Sequence, residues 1–188
     1  MKKYITEFIW VLFLVLTIWL AKWVLAPLAI WAVLVSLVYS GADNSWSHYN
    51  PAVTIWLCIN NKISKSEALI YILSQIWWAI LWWLLAYFIL HNTWLVVVLL
   101  VEFLYTFLLV RTVYNVAVDK VNSYFGISIW FVVLAWAISV WSISWWAFNP
   151  AVVIWWLFDG TFSISQLIYI FVNIWAWVFA WLLYKNLK

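Results

Sequence analysis

The chain is poor in almost everything a soluble domain is made of. Of its 188 residues only 8% are charged and 70% are hydrophobic, against about a quarter charged and about half apolar in average globular composition. That balance excludes a disordered segment, collagen and a nucleic-acid module, so no nucleic-acid partner is expected. One cysteine, Cys58, leaves no intrachain disulfide, no CxxC pair and no cysteine-based metal site. Glycine is the most depleted: there are three, where about 13 would be average for this length. Tryptophan instead numbers 21. The net charge of +3 rests on few ionisable groups and bears on membrane orientation, not on an acidic partner. What remains is a polytopic membrane protein whose first partner is the lipid bilayer.

Six apolar segments reach or approach the length that crosses a hydrocarbon core of about 30 Å. They are Tyr4–Ala21, Pro27–Gly41, Lys65–Leu90, Leu95–Val118, Tyr124–Trp141 and Ile164–Tyr184. The first, led by Met1-Lys2-Lys3, could be mistaken for a signal peptide. Five further spans and the lack of a small-residue cleavage site favour a retained helix. With both termini inside, Lys2, Lys3, Lys62, Lys65, Lys120, Lys185 and Lys188 fall on the cytoplasmic side and only Lys22 outside. That is the bias the positive-inside rule requires, and it predicts a multi-pass protein of the inner (plasma) membrane with cytoplasmic termini. Arg111 lies in the fourth span, about 10 Å from its Val118 end. It is read as snorkelling inward, with a substrate-binding arginine as the alternative.

The chain repeats itself. Thr6-Glu7-Phe8-Ile9 matches Val101-Glu102-Phe103-Leu104, and the stretch from Ser47 to Trp56 matches that from Trp146 to Trp155. The two Asn-Pro-Ala triplets, Asn50-Pro51-Ala52 and Asn149-Pro150-Ala151, lie 149 − 50 = 99 residues apart. Three spans per half, about 1–92 and 93–188, turn the second copy upside down within one membrane domain covering 1–188. After each triplet, Ala52–Ile59 and Ala151–Phe158 run apolar for about half a membrane thickness. Asn is a strong N-cap and Pro is preferred at the first helical position. Each copy therefore reads as a re-entrant half-helix, which is tolerated only where protein or a water-filled cavity surrounds it. Two such N-termini meeting near the midplane would turn their positive dipole ends to a common lumen.

With paired Asn-Pro-Ala boxes, one per inverted half, and Glu-Phe in spans one and four, the chain resembles the aquaporins, the major intrinsic protein family, over essentially its whole length. The resemblance implies an all-α, right-handed bundle of six transmembrane helices plus two re-entrant half-helices. It implies a passive channel for water, usually a homotetramer with one pore per subunit and with no cofactor or metal. Asn50 and Asn149 would point their amides into the pore and orient water in single file. Glu7 and Glu102 would brace the half-helix loops by accepting backbone hydrogen bonds. Counted by family spacing, the filter positions are Ile30, Ala137, Trp146 and Val152. The family's filter His and Arg are absent, Val152 standing at the Arg position, which leaves room for small neutral solutes beside water.

The tryptophans depart further. Trp46, Trp145 and Trp146 occupy stretches where the family carries glycine. Trp10, Trp19, Trp77, Trp78, Trp82, Trp83, Trp136 and Trp175 sit inside spans, where close helix crossings need small residues. An aromatic belt at the headgroups fits Trp23 and Trp94 and leaves most of the 21 unplaced. One reading covers both counts: most of these Trp stand where the working protein has Gly. Some bacterial lineages read UGA as glycine, and a table assigning UGA to Trp would produce this sequence. The alternatives are deliberate redesign and a natural Trp-rich homologue. A non-conducting scaffold with an indole-filled lumen is accordingly the second functional expectation.

The remaining signals are smaller. His48 is read as a hydrogen-bonded loop histidine, with gating as the alternative, and His91 as an exposed turn residue. Cys58 reads as a small buried hydrophobe, Asp43 and Asn44 as vestibule or solvated loop residues, and Gln75 as a candidate partner of the re-entrant loop. No Ser-His-Asp arrangement, paired-carboxylate site or phosphate-binding loop is present, so no enzyme is expected; a membrane enzyme or electron carrier ranks third.

Overall fold

In a computed structural model the chain is described at residues 1–91, 93–119, 121–144, 147–158, 160 and 164–187, with side chains at all of these except 23, 78–80, 82, 83, 86, 90, 164 and 165. Eight α-helices lie within the described residues: α1 (Lys2–Leu20), α2 (Ala26–Ser45), α3 (Pro51–Ile59), α4 (Lys65–His91), α5 (Trp94–Val113), α6 (Phe125–Ser144), α7 (Pro150–Phe158) and α8 (Ile168–Leu187). A π-helical segment, Tyr114–Asp119, continues α5, and short 3-10 turns at Trp23–Leu25 and Ile164–Leu167 lead into α2 and α8. Among the described residues five stretches are long and apolar enough to cross a membrane: Lys2–Leu20, Ala26–Ser45, Trp94–Asp119, Phe125–Ser144 and Ile168–Leu187. The sixth expected span coincides with the 27-residue α4, seven of whose side chains lie outside those described.

Local chemistry sets the ends. Pro27 sits in the first turn of α2, and Pro51 opens α3 behind its Asn50 cap. Helix α4 starts with a capping box: the Glu67 N–H donates to Ser64 Oγ at 3.2 Å and the Ser64 N–H to Glu67 Oε2 at 3.3 Å. The Lys3 ammonium of α1 also donates to Glu67, tying the two helix starts together.

Packing follows the repeat. Helix α1 contacts α2 and α4, as α5 contacts α6 and α8; α3 lies on α4, as α7 lies on α8; α2 and α6 cross between the halves. Small side chains allow that crossing: the Ser128 hydroxyl donates to the Ser36 carbonyl at 3.2 Å, and Ala29, Ala32 and Ala135 are fully buried. The core joins Trp10, Phe13 and Leu16 of α1, Leu37 of α2, Tyr105 and Leu108 of α5, and Trp136 of α6. Outward faces carry large apolar residues such as Ile70, Leu73 and Trp77 on α4 and Phe171, Ile174 and Trp175 on α8. So continuous an apolar exterior belongs against lipid or another apolar surface rather than water.

The tryptophans divide. Trp10 and Trp136 are each 1% exposed and crowd helix crossings, as expected. Trp77 and Trp175, expected at crossings too, instead point outward at 57% and 59% exposure, so their helices meet neighbours through other faces. Side chains of Trp23, Trp78, Trp82 and Trp83, and the whole of Trp145 and Trp146, lie outside the described residues, as do Lys120 and Lys188. Arg111 does not snorkel: it is 3% exposed, closed in by Thr6, Ile9, Trp10 and Leu187, because the ends of α1 and α8 cover it.

Gly41 marks the closest approach. A Cβ there would stand 1.8 Å from Tyr49 Oη and 2.6 Å from the Trp10 ring, whereas one at Gly126 would meet nothing within 4 Å. Gly41→Ala should therefore displace Tyr49, whose hydroxyl donates to the Leu37 carbonyl at 2.9 Å, at about 1–3 kcal/mol. Gly126→Ala should be neutral or stabilising by up to about 1 kcal/mol. Melting temperatures in detergent check the pair; equal melting of the two variants would contradict the close contact.

Candidate functional site

The two Asn-Pro-Ala triplets open α3 and α7 in the same way. Asn50 Oδ1 accepts the Ala52 N–H at 2.8 Å, and Asn149 Oδ1 accepts the Ala151 N–H at 2.9 Å. Each side-chain oxygen thus satisfies one of the orphan donors of a helix start. Both asparagines are exposed on the isolated chain. The residue before each is in the left-handed region, Tyr49 at φ 47° and Phe148 at φ 40°. Non-glycine residues persist there only when their surroundings hold them.

Two fully buried carboxylates hold these turns. Glu7 of α1 accepts the His48 N–H at Oε1 (2.8 Å) and the Tyr49 N–H at Oε2 (2.6 Å). Glu102 of α5 accepts the Ala147 N–H at Oε1 (3.1 Å) and the Phe148 N–H at Oε2 (2.8 Å). His48 with Tyr49 and Ala147 with Phe148 are repeat counterparts, each 99 positions apart (147 − 48 and 148 − 49). The same wiring therefore occurs twice.

A third helix adds an amide to each. Gln75 of α4 donates to Glu7 Oε2 at 2.9 Å and to Thr54 Oγ1 at 3.2 Å. Its counterpart on α8, 173 − 75 = 98 positions on, is Asn173, whose Oδ1 accepts from the Thr106 hydroxyl at 2.9 Å. The sequence singles out Gln75 but not Asn173 or Thr106, since the 99-residue offset of the triplets leads from Gln75 to Ile174, one position past Asn173. His48 is buried, stacked on Tyr71 with centroids 4.2 Å apart, and its Nδ1 faces Thr54 Oγ1 at 3.1 Å. Cys58, expected buried, is only half-buried on α3.

The filter positions are spread over separate elements. Ile30 lies on α2, Ala137 on α6 and Val152 on α7, all half-buried, while Trp146 lies outside the described residues. Asn149 and Pro150 border a cavity of about 250 Å3, with Thr106, Leu109 and Val110 of α5 and Asn173, Ile174 and Trp177 of α8. Among the described residues no three His, Cys, Asp or Glu side chains gather as a metal ion would need.

The family model described as Major intrinsic protein matches residues 1–180. Aquaporin-B of Dictyostelium discoideum is 45% identical over 42 residues, which are 22% of this chain and 14% of that protein. The chain thus matches well under two thirds of that relative's length. No solved structure matches. A match over nearly the whole chain, on an all-helical protein with several apolar helices, makes this a multi-pass membrane protein that belongs to the major intrinsic protein family.

Proposed function

We propose that the chain is a passive transmembrane channel for water and small neutral solutes, which pass in single file by Asn50 and Asn149. The observation that carries this reading is the twofold wiring of the triplets. Two helix starts, each capped by its own Asn and tied through backbone N–H groups to a buried Glu, present fixed positive dipole ends and leave both asparagines exposed. Such donors favour the oxygen of a neutral molecule and oppose a cation. In this reading α1, α2, α4, α5, α6 and α8 span the bilayer and α3 and α7 are re-entrant. The halves form an inverted repeat in one membrane domain. The lysine bias supports an inner (plasma) membrane protein with both termini cytoplasmic. A homotetramer with one pore per subunit would cover part of the apolar exterior.

Val152 gives the lumen no fixed cation where a narrow water filter would place one, so selection among neutral solutes should rest on size. The second reading, a non-conducting aquaporin-like scaffold, draws on the indoles: Trp46 is 65% exposed at the approach to the first triplet.

Stopped-flow osmotic shrinkage of proteoliposomes tests the proposal. The expected result is water flux several-fold above empty vesicles, with no rise in proton leak. Flux at the level of empty vesicles, both for the chain as written and with glycine at its tryptophans, would overturn it. Urea and glycerol gradients then define the solute range.

A further inference from the structure

We propose that the groove between α1, α5 and α8 seats one acyl chain of an anionic phospholipid, whose phosphate is held by Lys2 at the end of the bundle where α1 begins and α5 and α8 finish. The site shares no lining residue with the cavity at the second triplet and does not depend on conduction. Its tail half is a cavity of about 250 Å3 with an apolar wall, built mostly from Phe8 and Phe13 of α1, Phe103 and Phe107 of α5 and Phe179 of α8. Ring contacts fix that wall: Phe13 stacks on Phe107 with centroids 6.2 Å apart, and Phe103 meets Phe179 edge-on at 5.7 Å. Phe179 is 53% exposed, and Phe8, Leu12 and Phe103 are half-buried, so the groove opens on the exterior rather than into the bundle.

The polar half follows from helix geometry. Phe103, Phe107 and Arg111 recur at four-residue steps, so Arg111 stands on the same face of α5 one turn past the groove. Ile9 borders both the groove and the recess that holds Arg111. Arg111 is 3% exposed, and its Nε and Nη1 have no hydrogen-bond partner among the described residues. A buried charge without a partner is costly, most of all inside a membrane, and it leaves positive potential over this end of the groove. Asp119 offsets it only in part. The Asp119 charge acts on Arg111, but Lys2 Nζ already lies 3.7 Å from its Oδ2, and the Tyr184 hydroxyl donates to its Oδ1 at 3.4 Å. Two cations thus share one carboxylate, and a phosphodiester would balance the excess. Lys2 is the cation that reaches it, its side chain being 39% exposed; the enclosed Arg111 attracts without contact. The spacing fits a lipid. At 1.5 Å per residue Phe8 and Phe13 lie about 9 and about 16 Å along α1 from Lys2, the span of one leaflet's hydrocarbon at about 15 Å. A free phosphate would leave the groove empty, and an uncharged apolar guest would leave the charge unbalanced.

Native mass spectrometry of the full chain, released from detergent with phosphatidylglycerol and phosphatidylcholine of identical acyl chains, tests the site. The unsubstituted chain should bind the anionic lipid more tightly. Lys2→Gln should cut that preference roughly fivefold, the equivalent of about 1 kcal/mol. Lys22→Gln makes the same charge change beyond the far end of α1 and should leave the preference unchanged. Leu12→Trp fills the groove and should weaken both lipids several-fold, because they share the tail. Equal binding of the two lipids by the unsubstituted chain, equal loss in the two lysine variants, or undiminished binding by a folded Leu12→Trp variant would each overturn the proposal. If Leu12→Trp does not fold, the lysine pair still decides, since loss confined to Lys2→Gln supports the site. A disulfide between copies carrying Leu12→Cys on a Cys58→Ser background would place a second copy in the groove and overturn it as well.

Discussion

Replacing Trp10, Trp46 and Trp136 together with glycine is expected to raise osmotic water flux several-fold over the chain as written. Each position has a physical reason to want glycine. Trp46 ends α2 at φ 63°, ψ 11°, the left-handed conformation that helices most often close with glycine and that costs an L-residue about 1–2 kcal/mol. Ser47 follows at φ 51°. Trp10 and Trp136 are enclosed with their indole N–H groups unpaired, a penalty of about 1–3 kcal/mol each. The Trp10 ring also stands where any side chain on Gly41 would have to go. Glycine at the two crossings would let the helices approach closely, and at position 46 it would clear an indole from the approach to Asn50. The same three codons carry a second test. If UGA is read as glycine in the source cell, they are UGA, and peptides isolated from that cell contain glycine. UGG at these codons would end the recoding reading, and unchanged flux in the triple Trp→Gly variant would detach the indoles from conduction.

How much of this was legible in the chain depends on how local each signal is. The starts of α3 and α7 were readable because Asn followed by Pro is self-contained chemistry: a cap and a first-turn residue next to each other. Helix ends were harder. Pro27–Gly41 was expected where α2 runs from Ala26 to Ser45, since Asp43 and Asn44 look like loop residues but continue the helix. Span four, read as Leu95–Val118, is one apolar stretch from Trp94 to Asp119, whose last part from Tyr114 is π-helical, a local change that no hydropathy pattern marks. The burial of Arg111 was also out of reach. It depends on Thr6, Ile9 and Trp10 of α1 and Leu187 at the end of α8, each more than 70 residues away in the chain, closing over it. Which tryptophans face inward likewise required knowing each helix's neighbours. The filter positions Ile30, Ala137 and Val152 came from family spacing alone, and being apolar they make no directional contact that would join them.

Glu7→Ala and Glu102→Ala should be the most damaging single substitutions in the chain, and they should differ in a way that reports on the repeat. Truncating Glu102 leaves the Ala147 and Phe148 N–H groups buried without an acceptor. Truncating Glu7 strands the His48 and Tyr49 N–H groups and one bond of Gln75 as well. At about 1–3 kcal/mol for each lost partner, either loss is a large fraction of the roughly 5–15 kcal/mol that separates folded from unfolded. Glu→Gln keeps one acceptor oxygen but turns an N–H toward a backbone N–H, so it should recover only part of the loss. Cys58 provides a local readout because it is the single thiol and lies half-buried on α3. Glu7→Ala should free α3 and speed Cys58 labelling by roughly a hundredfold, the equivalent of about 2–3 kcal/mol. Glu102→Ala should release α7 instead and leave early Cys58 labelling near that of the unsubstituted chain, although both variants melt earlier. Equal acceleration by the two substitutions would mean that the carboxylates support the bundle as a whole. Selective acceleration by Glu7→Ala would mean that each half-helix hangs on its own glutamate.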